Sequence, residues 1–236
     1  MLNRHYPVTR YPTDIPGLLY RPSIEPQYSD RADFIEPFHS IVTDRTTPDQ
    51  YYSAANRSLL HGLLYELGLD LEGAAGCILE IGVAKTSLAR PFENTSTCIL
   101  AGHKANSAVY LGVDLAEDKP VTPDQGHNIY YLLGTNSISK AAIIDKLLEL
   151  GIGQTPGIDL LHIDGDHSVS QVLNDWQYTE FLAPHGIAIF HDTNVHPGPC
   201  TVLDAVDPNV FEVVPYFRNR PGDFGMAMVR RRRTEP

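Results

Sequence analysis

The sequence predicts an α/β protein: a doubly wound, mostly parallel sheet with helices on both faces. Short apolar runs, each ending in a polar or glycine-containing turn, alternate with segments of helical periodicity. The runs are continuously apolar rather than alternating, the mark of strands buried on both faces. Ligands of such sheets bind at the carboxyl ends of the strands, and the polar clusters of this chain fall there.

The pattern begins at Asp49. Tyr51 to Leu69 sets Leu59, Leu60, Leu63, Leu64 and Leu67 at helical spacing, with Gly68 as a stop. Cys77 to Gly82 reads as the first buried strand, Ala108 to Leu115 as the second and Asn128 to Leu133 as the third. Ser139 to Leu150 is an amphipathic helix with Ser137 or Ser139 as its N-cap. Ile158 to Ile163 is a fourth strand, Val169 to Leu182 a helix, and Gly186 to Phe190 a fifth strand. Phe211 to Tyr216 and Gly225 to Val229 form a final hairpin on the sheet edge.

The 236 residues are 42% hydrophobic, enough to bury a substantial core. Residues 1–48 are rich in Pro, Tyr, Arg and Asp and lack a clear period. They read as an N-terminal arm or lid that can also pack on a neighbouring subunit, so a homo-oligomer is expected; residues 49–236 form the main domain. The formal net charge of −11 argues against nucleic acid and anionic membrane as partners. The run Arg230 to Arg233 reads as a solvated tail. The three cysteines, Cys77, Cys98 and Cys200, suit neither a disulfide scaffold nor a cysteine zinc site. With no apolar stretch near ~18 residues, neither a signal peptide nor a membrane span is expected, and the expected location is cytoplasmic.

Gly82 opens the first turn and lets a ligand approach the backbone. The turn runs Gly82-Val83-Ala84-Lys85-Thr86-Ser87, and neither a phosphate-binding loop nor a dinucleotide fingerprint is present. Glu80, on the strand itself, suits a cationic or hydroxyl-bearing ligand better than a pyrophosphate. Asp114, ending the second strand, can accept both ribose hydroxyls of a nucleoside; it serves equally as a helix cap or surface acid. Together the two acids favour a nucleoside ligand without pyrophosphate, and S-adenosylmethionine fits.

The richest segment is His162-Ile163-Asp164-Gly165-Asp166-His167. Two carboxylates and an imidazole so close together can hold a hard cation and position a base. An EF-hand loop starting at Asp164 fails at Val169 and Asp175. A dinuclear hydrolase motif would need His in place of Asp164, although His162, Asp166 and His167 match; His162 also reads as a core histidine. The fifth strand ends in His191-Asp192, and adjacent strands would set Asp164 beside Asp192. Oxygen-rich ligation there favours Mg²⁺, Ca²⁺ or Mn²⁺, and His191 as a ligand tilts the choice toward Mn²⁺ or Fe²⁺. His196 and Cys200 lie in a Pro/Gly loop that can rim the site.

The segments CILEIGV (77–83), VYLGVD (109–114), IDLLHIDGDHS (158–168) and LAPHGIAIFHDT (182–193) resemble class I S-adenosylmethionine-dependent methyltransferases. The likeness is closest to the group of cephalosporin-hydroxylase-like proteins and macrolide sugar O-methyltransferases, and it covers roughly residues 50–195. It implies a Rossmann-like seven-stranded fold and methyl transfer to a small-molecule hydroxyl of a sugar, natural product or phenol, often with Mg²⁺ or another divalent cation. It implies cofactor contacts from Glu80, Gly82, Ala84, Ser87, Asp114, Thr135, Asn136, Asp164 and Gly165. The metal would be held by Asp164, His191 and Asp192, with His191 replacing an acid of the family pattern. His167 would act as general base. The alternatives are a metal-dependent hydrolase built on His162, Asp164, Asp166, His167 and His191, and a non-catalytic cofactor-binding protein.

Overall fold

A computed structural model describes residues 15–19, 54–73, 75–83, 95–117, 127–152, 157–194, 196–216 and 223–232. In chain order the elements are α1 (Ala54–Glu66), β1 (Cys77–Ile81), α2 (Ser96–Gly102), β2 (Val109–Asp114), β3 (Ile129–Leu133), α3 (Lys140–Glu149) and β4 (Ile158–Ile163). Next come α4 (Val169–Trp176), a 3₁₀ turn (Gln177–Phe181), β5 (Leu182–His191), α5 (Pro197–Asp204), β6 (Phe211–Tyr216) and β7 (Met226–Arg231).

The strands form one seven-stranded sheet in the order β3-β2-β1-β4-β5-β7-β6. Strands β1 to β5 are parallel, and β7 pairs antiparallel with both β5 and β6. The expected doubly wound sheet and terminal hairpin are therefore borne out. Side chains alternate across each strand, and this divides the interior into two layers. Leu79, Ile81, Leu111, Val113, Leu161, Ile163, Ala188 and Phe190 meet α3, α4 and α5 through Ile143, Leu147, Val172, Trp176 and Val202. Ile78, Tyr110, Leu160, Ile187 and Ile189 meet α1 and α2 through Leu60, Leu63, Leu64, Ile99 and Leu100. Both faces are covered, which is why the strands read as unbroken apolar runs.

Several sequence expectations are corrected. Ser139 precedes α3 but makes no side-chain cap bond; the Ser137 hydroxyl donates to Asp175 instead. Helix α4 tightens into the 3₁₀ turn after Trp176, and β5 starts at Leu182, earlier than its apolar core suggests. Helix α2 had no visible hydrophobic period; Thr95 caps it by accepting from the Cys98 amide at 3.1 Å. Helix α5 grows out of a Pro/Gly stretch that reads as loop, because Pro197 occupies the first turn, where its missing N–H costs nothing.

The arginine run is not a free tail. Arg230 and Arg231 extend β7, where Phe211 pairs with Arg231 and Glu212 with Arg230. Arg230 donates to Glu212 at 2.7 Å, Arg231 to the Thr179 carbonyl at 3.1 Å and Arg232 to the Pro208 carbonyl. Arg233 lies outside the described residues. Of the N-terminal arm, residues 15–19 pack on this same domain: Ile15 joins the core, the Pro16 carbonyl accepts from Trp176 Nε1, and Leu18 bridges to Val206. The rest of the arm lies outside the described residues.

Candidate active site

Strand order reverses between β1 and β4, so the connections that follow them leave on opposite sides and open a crevice at the carboxyl edge. Gly82 ends β1 with φ +90°, in the left-handed region. A β-carbon there would sit 2.0 Å from the Asp164 carbonyl oxygen. The turn after β4 thus already makes a close approach that requires glycine here, a role for Gly82 that the sequence reading did not foresee. The Asp164 amide completes the contact by donating to the Ile81 carbonyl at 2.8 Å.

Asp114 ends β2 half-buried, one carboxylate oxygen accepting from the Ala116 amide at 2.8 Å. The Thr135 amide donates to the Asp114 carbonyl, and Asn136 Oδ1 accepts from Ile138 N, so the ends of β2 and β3 are fixed together. Ala84 and Ser87 lie outside the described residues.

The ends of β4 and β5 carry a dense ionic cluster. His167 Nε2 is 2.9 Å from Asp192 Oδ2 and 3.5 Å from Asp164 Oδ1. His191 Nδ1 is 2.8 Å from Asp192 Oδ1 and 3.4 Å from Asp164 Oδ1. Asp192 is buried and adopts φ +60°, a conformation that aspartate tolerates better than most residues. Burial opposes charge on all four groups, and mutual attraction outweighs it. His191 and His167 hold Asp164 well below the usual carboxylate range; the same two rings depress Asp192. The carboxylates in turn raise His167 and His191 to about 10 each.

Glu80 does not face the crevice. Its side chain is fully buried and accepts from the Ser96 hydroxyl at 2.6 Å and from the Tyr110 hydroxyl. His162 Nδ1 lies 3.4 Å from it. The expected cofactor contact from this carboxylate is corrected: its oxygens are turned to the layer beneath β1 and β2. The set named for a hydrolase is likewise not assembled. His162 is directed to Glu80, and the exposed Asp166 accepts from the Ser168 amide at 2.8 Å. Asp164, His167 and His191 come together, joined by Asp192.

Sequence reasoning missed one feature. Under Gly165, the buried Asp175 accepts from the Ser137 hydroxyl at 2.5 Å and from Gln171 Nε2 at 3.1 Å, while Tyr178 donates to the Ser137 carbonyl. Burial pushes Asp175 up to about 7, against those hydrogen bonds. Gln171 and Asp175 are one helical turn apart, which was the only available sign. His196, read from the sequence as part of a loop that can rim the site, stacks its ring on His167 with centroids 4.1 Å apart.

The donor chemistry bears on the divalent cation that the sequence resemblance implies. Asp164 Oδ1, His191 Nδ1 and Asp192 Oδ1 are spaced like neighbouring ligands of one ion with bonds of about 2.0–2.2 Å. Two oxygens and an imidazole nitrogen fit an ion that accepts mixed ligation, such as Mn²⁺ or Fe²⁺, better than Mg²⁺.

A family profile described as a methyltransferase domain matches residues 94–193, which carry Asp114, Asp164, His167, His191 and Asp192. No curated protein matches the chain. Among solved structures, the O-methyltransferase TomG from Streptomyces achromogenes, involved in tomaymycin synthesis and crystallised with SAM, is 15% identical. It aligns over 84% of this chain and 87% of its own at a TM-score of 0.51. An rRNA methylase from Streptococcus thermophilus is 14% identical over 73% of this chain and 94% of its own, with a TM-score of 0.50. MycE, a methyltransferase of the mycinamycin pathway solved with Mg and SAH, is 14% identical with a TM-score of 0.49 over 84% of this chain. The chain spans about half of its length, 54%. The profile match bears out the methyltransferase resemblance, and TomG and the rRNA methylase share the fold, which does not fix a substrate. No described helix is long and apolar enough to cross a membrane.

Proposed function

We propose that this chain, whose residues 94–193 match the methyltransferase-domain family, transfers a methyl group from S-adenosylmethionine to a hydroxyl of a small molecule, assisted by a divalent cation. One observation carries the reading. The ends of β4 and β5 bring an imidazole and two carboxylates together, with His167 Nε2 2.9 Å from Asp192 and 3.5 Å from Asp164. They do so at the carboxyl edge of the sheet, where Asp114 ends β2 and, in this reading, would receive the ribose hydroxyls.

An alcohol is a poor nucleophile near neutrality because its pKa is far above 7, so a base in hydrogen-bond reach is required. His167 is that base in this reading. Its ring is held between Asp164, Asp192 and the stacked His196, so Nε2 points at the carboxylate pair where an acceptor hydroxyl would be presented. The sulfonium carries its own leaving group, so holding the hydroxyl in line with the methyl is the larger part of the task. A divalent ion held by Asp164, His191 and Asp192 would offset both carboxylates, polarising the acceptor oxygen and relieving the attraction that keeps His167 protonated. Sugar, natural-product and phenolic hydroxyls suit such a site.

Calorimetry with S-adenosylhomocysteine, with and without Mn²⁺ or Mg²⁺, tests the cofactor. Micromolar binding is expected, and absence of heat under both conditions overturns the proposal. Methyl transfer to a panel of vicinal diols and phenols then tests the acceptor class.

A further inference from the structure

Asp192 has two oxygens directed at different partners. Oδ1 meets His191, within the set described above. Oδ2 faces outward, 2.9 Å from His167 Nε2 and 3.9 Å from His196 Nε2. These three donor atoms lie within 4.8 Å of one another. The arrangement is built by the backbone. The His196 amide donates to the Asp192 carbonyl at 3.1 Å, closing a turn that carries residue 196 back over residue 192. Gly198, in the first turn of α5, rests on the turn after β4, where a β-carbon would lie 2.1 Å from the His167 carbonyl oxygen. That contact seats the His196 ring parallel to the His167 ring, 3° apart in plane. The side chain of His196 remains 40% exposed, so an ion could reach the donors from solvent.

We infer that His167, Asp192 and His196 form a second, nitrogen-rich cation position that takes a borderline transition ion of the Zn²⁺ class and, when filled, withdraws His167 from its part in methyl transfer. A tetrahedral zinc with bonds of about 2.0–2.1 Å sets its ligands about 3.3 Å apart. The separations of 2.9 and 3.9 Å straddle that value. The two rings lie 3° from parallel, so binding requires the half-exposed His196 ring to turn out of the stack until its lone pair meets that of His167 at one ion. Two imidazoles and one carboxylate leave a fourth place for water, the pattern of an accessible zinc site. Hard, oxygen-preferring ions would not compete there. The inhibitory half rests on the methyl-transfer reading; the binding half does not.

The test uses the full chain, stripped with chelator. Zn²⁺ is titrated by calorimetry, and His196→Phe is compared because it keeps a ring against His167 while removing the nitrogen. At least tenfold weaker Zn²⁺ binding is expected in the variant. Equal affinity in both proteins, or displacement of Zn²⁺ by equimolar Mg²⁺, overturns the site. X-ray absorption at the zinc edge needs no variant. Two imidazole ligands are expected, whereas one, as Asp164, His191 and Asp192 would supply, counts against it. Zn²⁺ binding of this kind in a chain without S-adenosylhomocysteine affinity would sink the enzymatic reading alone. Methyl transfer indifferent to saturating Zn²⁺ would sink the inhibition.

Discussion

His167 Nε2 and Asp192 Oδ2 are 2.9 Å apart although one follows β4 and the other ends β5. The parallel pairing of these strands, with Ile163 opposite Phe190, delivers both residues to one edge. The pair therefore exists because of the sheet, and it sets the charge of the site: each imidazole has a carboxylate partner and each carboxylate an imidazole.

Replacing His167 separates its chemical role from cofactor binding. His167→Ala removes the base but no part of the β1–β2 edge. Turnover should fall about 10²- to 10⁴-fold, while S-adenosylhomocysteine affinity stays within about threefold. Single-turnover methyl transfer and calorimetry measure the two quantities. Unchanged turnover would remove His167 from the mechanism.

Gly82→Ala should be among the most damaging single changes in the crevice. The new β-carbon meets backbone at 2.0 Å and the residue must hold φ +90°. Neither conflict can be relieved by a side-chain rotation. A loss of roughly 3 kcal/mol or more is expected in urea unfolding. Displacement of the Asp164 turn should also weaken Mn²⁺ binding. A variant as stable as the parent would show that the turn after β4 can move away.

The fold was legible because strands buried on both faces leave continuous apolar runs, and the site was legible where chemistry is local. Asp164, His167 and the His191-Asp192 pair each stand in a short polar cluster at a strand end. Glu80 misled because a strand residue can face either layer: its register opposite Gly112 and His162 turns it inward, and the sequence alone does not show that Ser96 and Tyr110 wait there. His196 was legible as a rim residue, but helix α5 after it was obscured by the prolines, the first of which, Pro197, opens the helix. The arginine run misled because strand pairing, unlike composition, depends on the partner strand.

Glu80→Gln distinguishes the buried role from a cofactor role. Glutamine keeps the size but must turn an amide toward Ser96 or Tyr110, which both donate. A loss of about 2 kcal/mol in unfolding free energy is expected, with S-adenosylhomocysteine affinity nearly unchanged at temperatures where the variant is folded. A stable variant that binds the cofactor tenfold more weakly would restore the ligand role that the geometry denies.

The pH dependence of stability should carry the signature of Asp175. This carboxyl is fully buried, and Oδ2 has no hydrogen-bond partner. Its pKa rises from 3.8 to about 7 chiefly because burial penalises the charge. The protonated form is therefore the one the folded state prefers. Its contribution is complete below about pH 4 and is lost as pH rises through about 7. At one decade per unit the loss amounts to roughly 4 kcal/mol at most. Asp175→Asn keeps an acceptor for Ser137 and Gln171 and cannot ionise. Urea unfolding at pH 5 and pH 8 should show the parent losing stability relative to this variant across the interval. A difference that stays constant between the two pH values would mean that Asp175 keeps an ordinary carboxyl pKa in the folded protein.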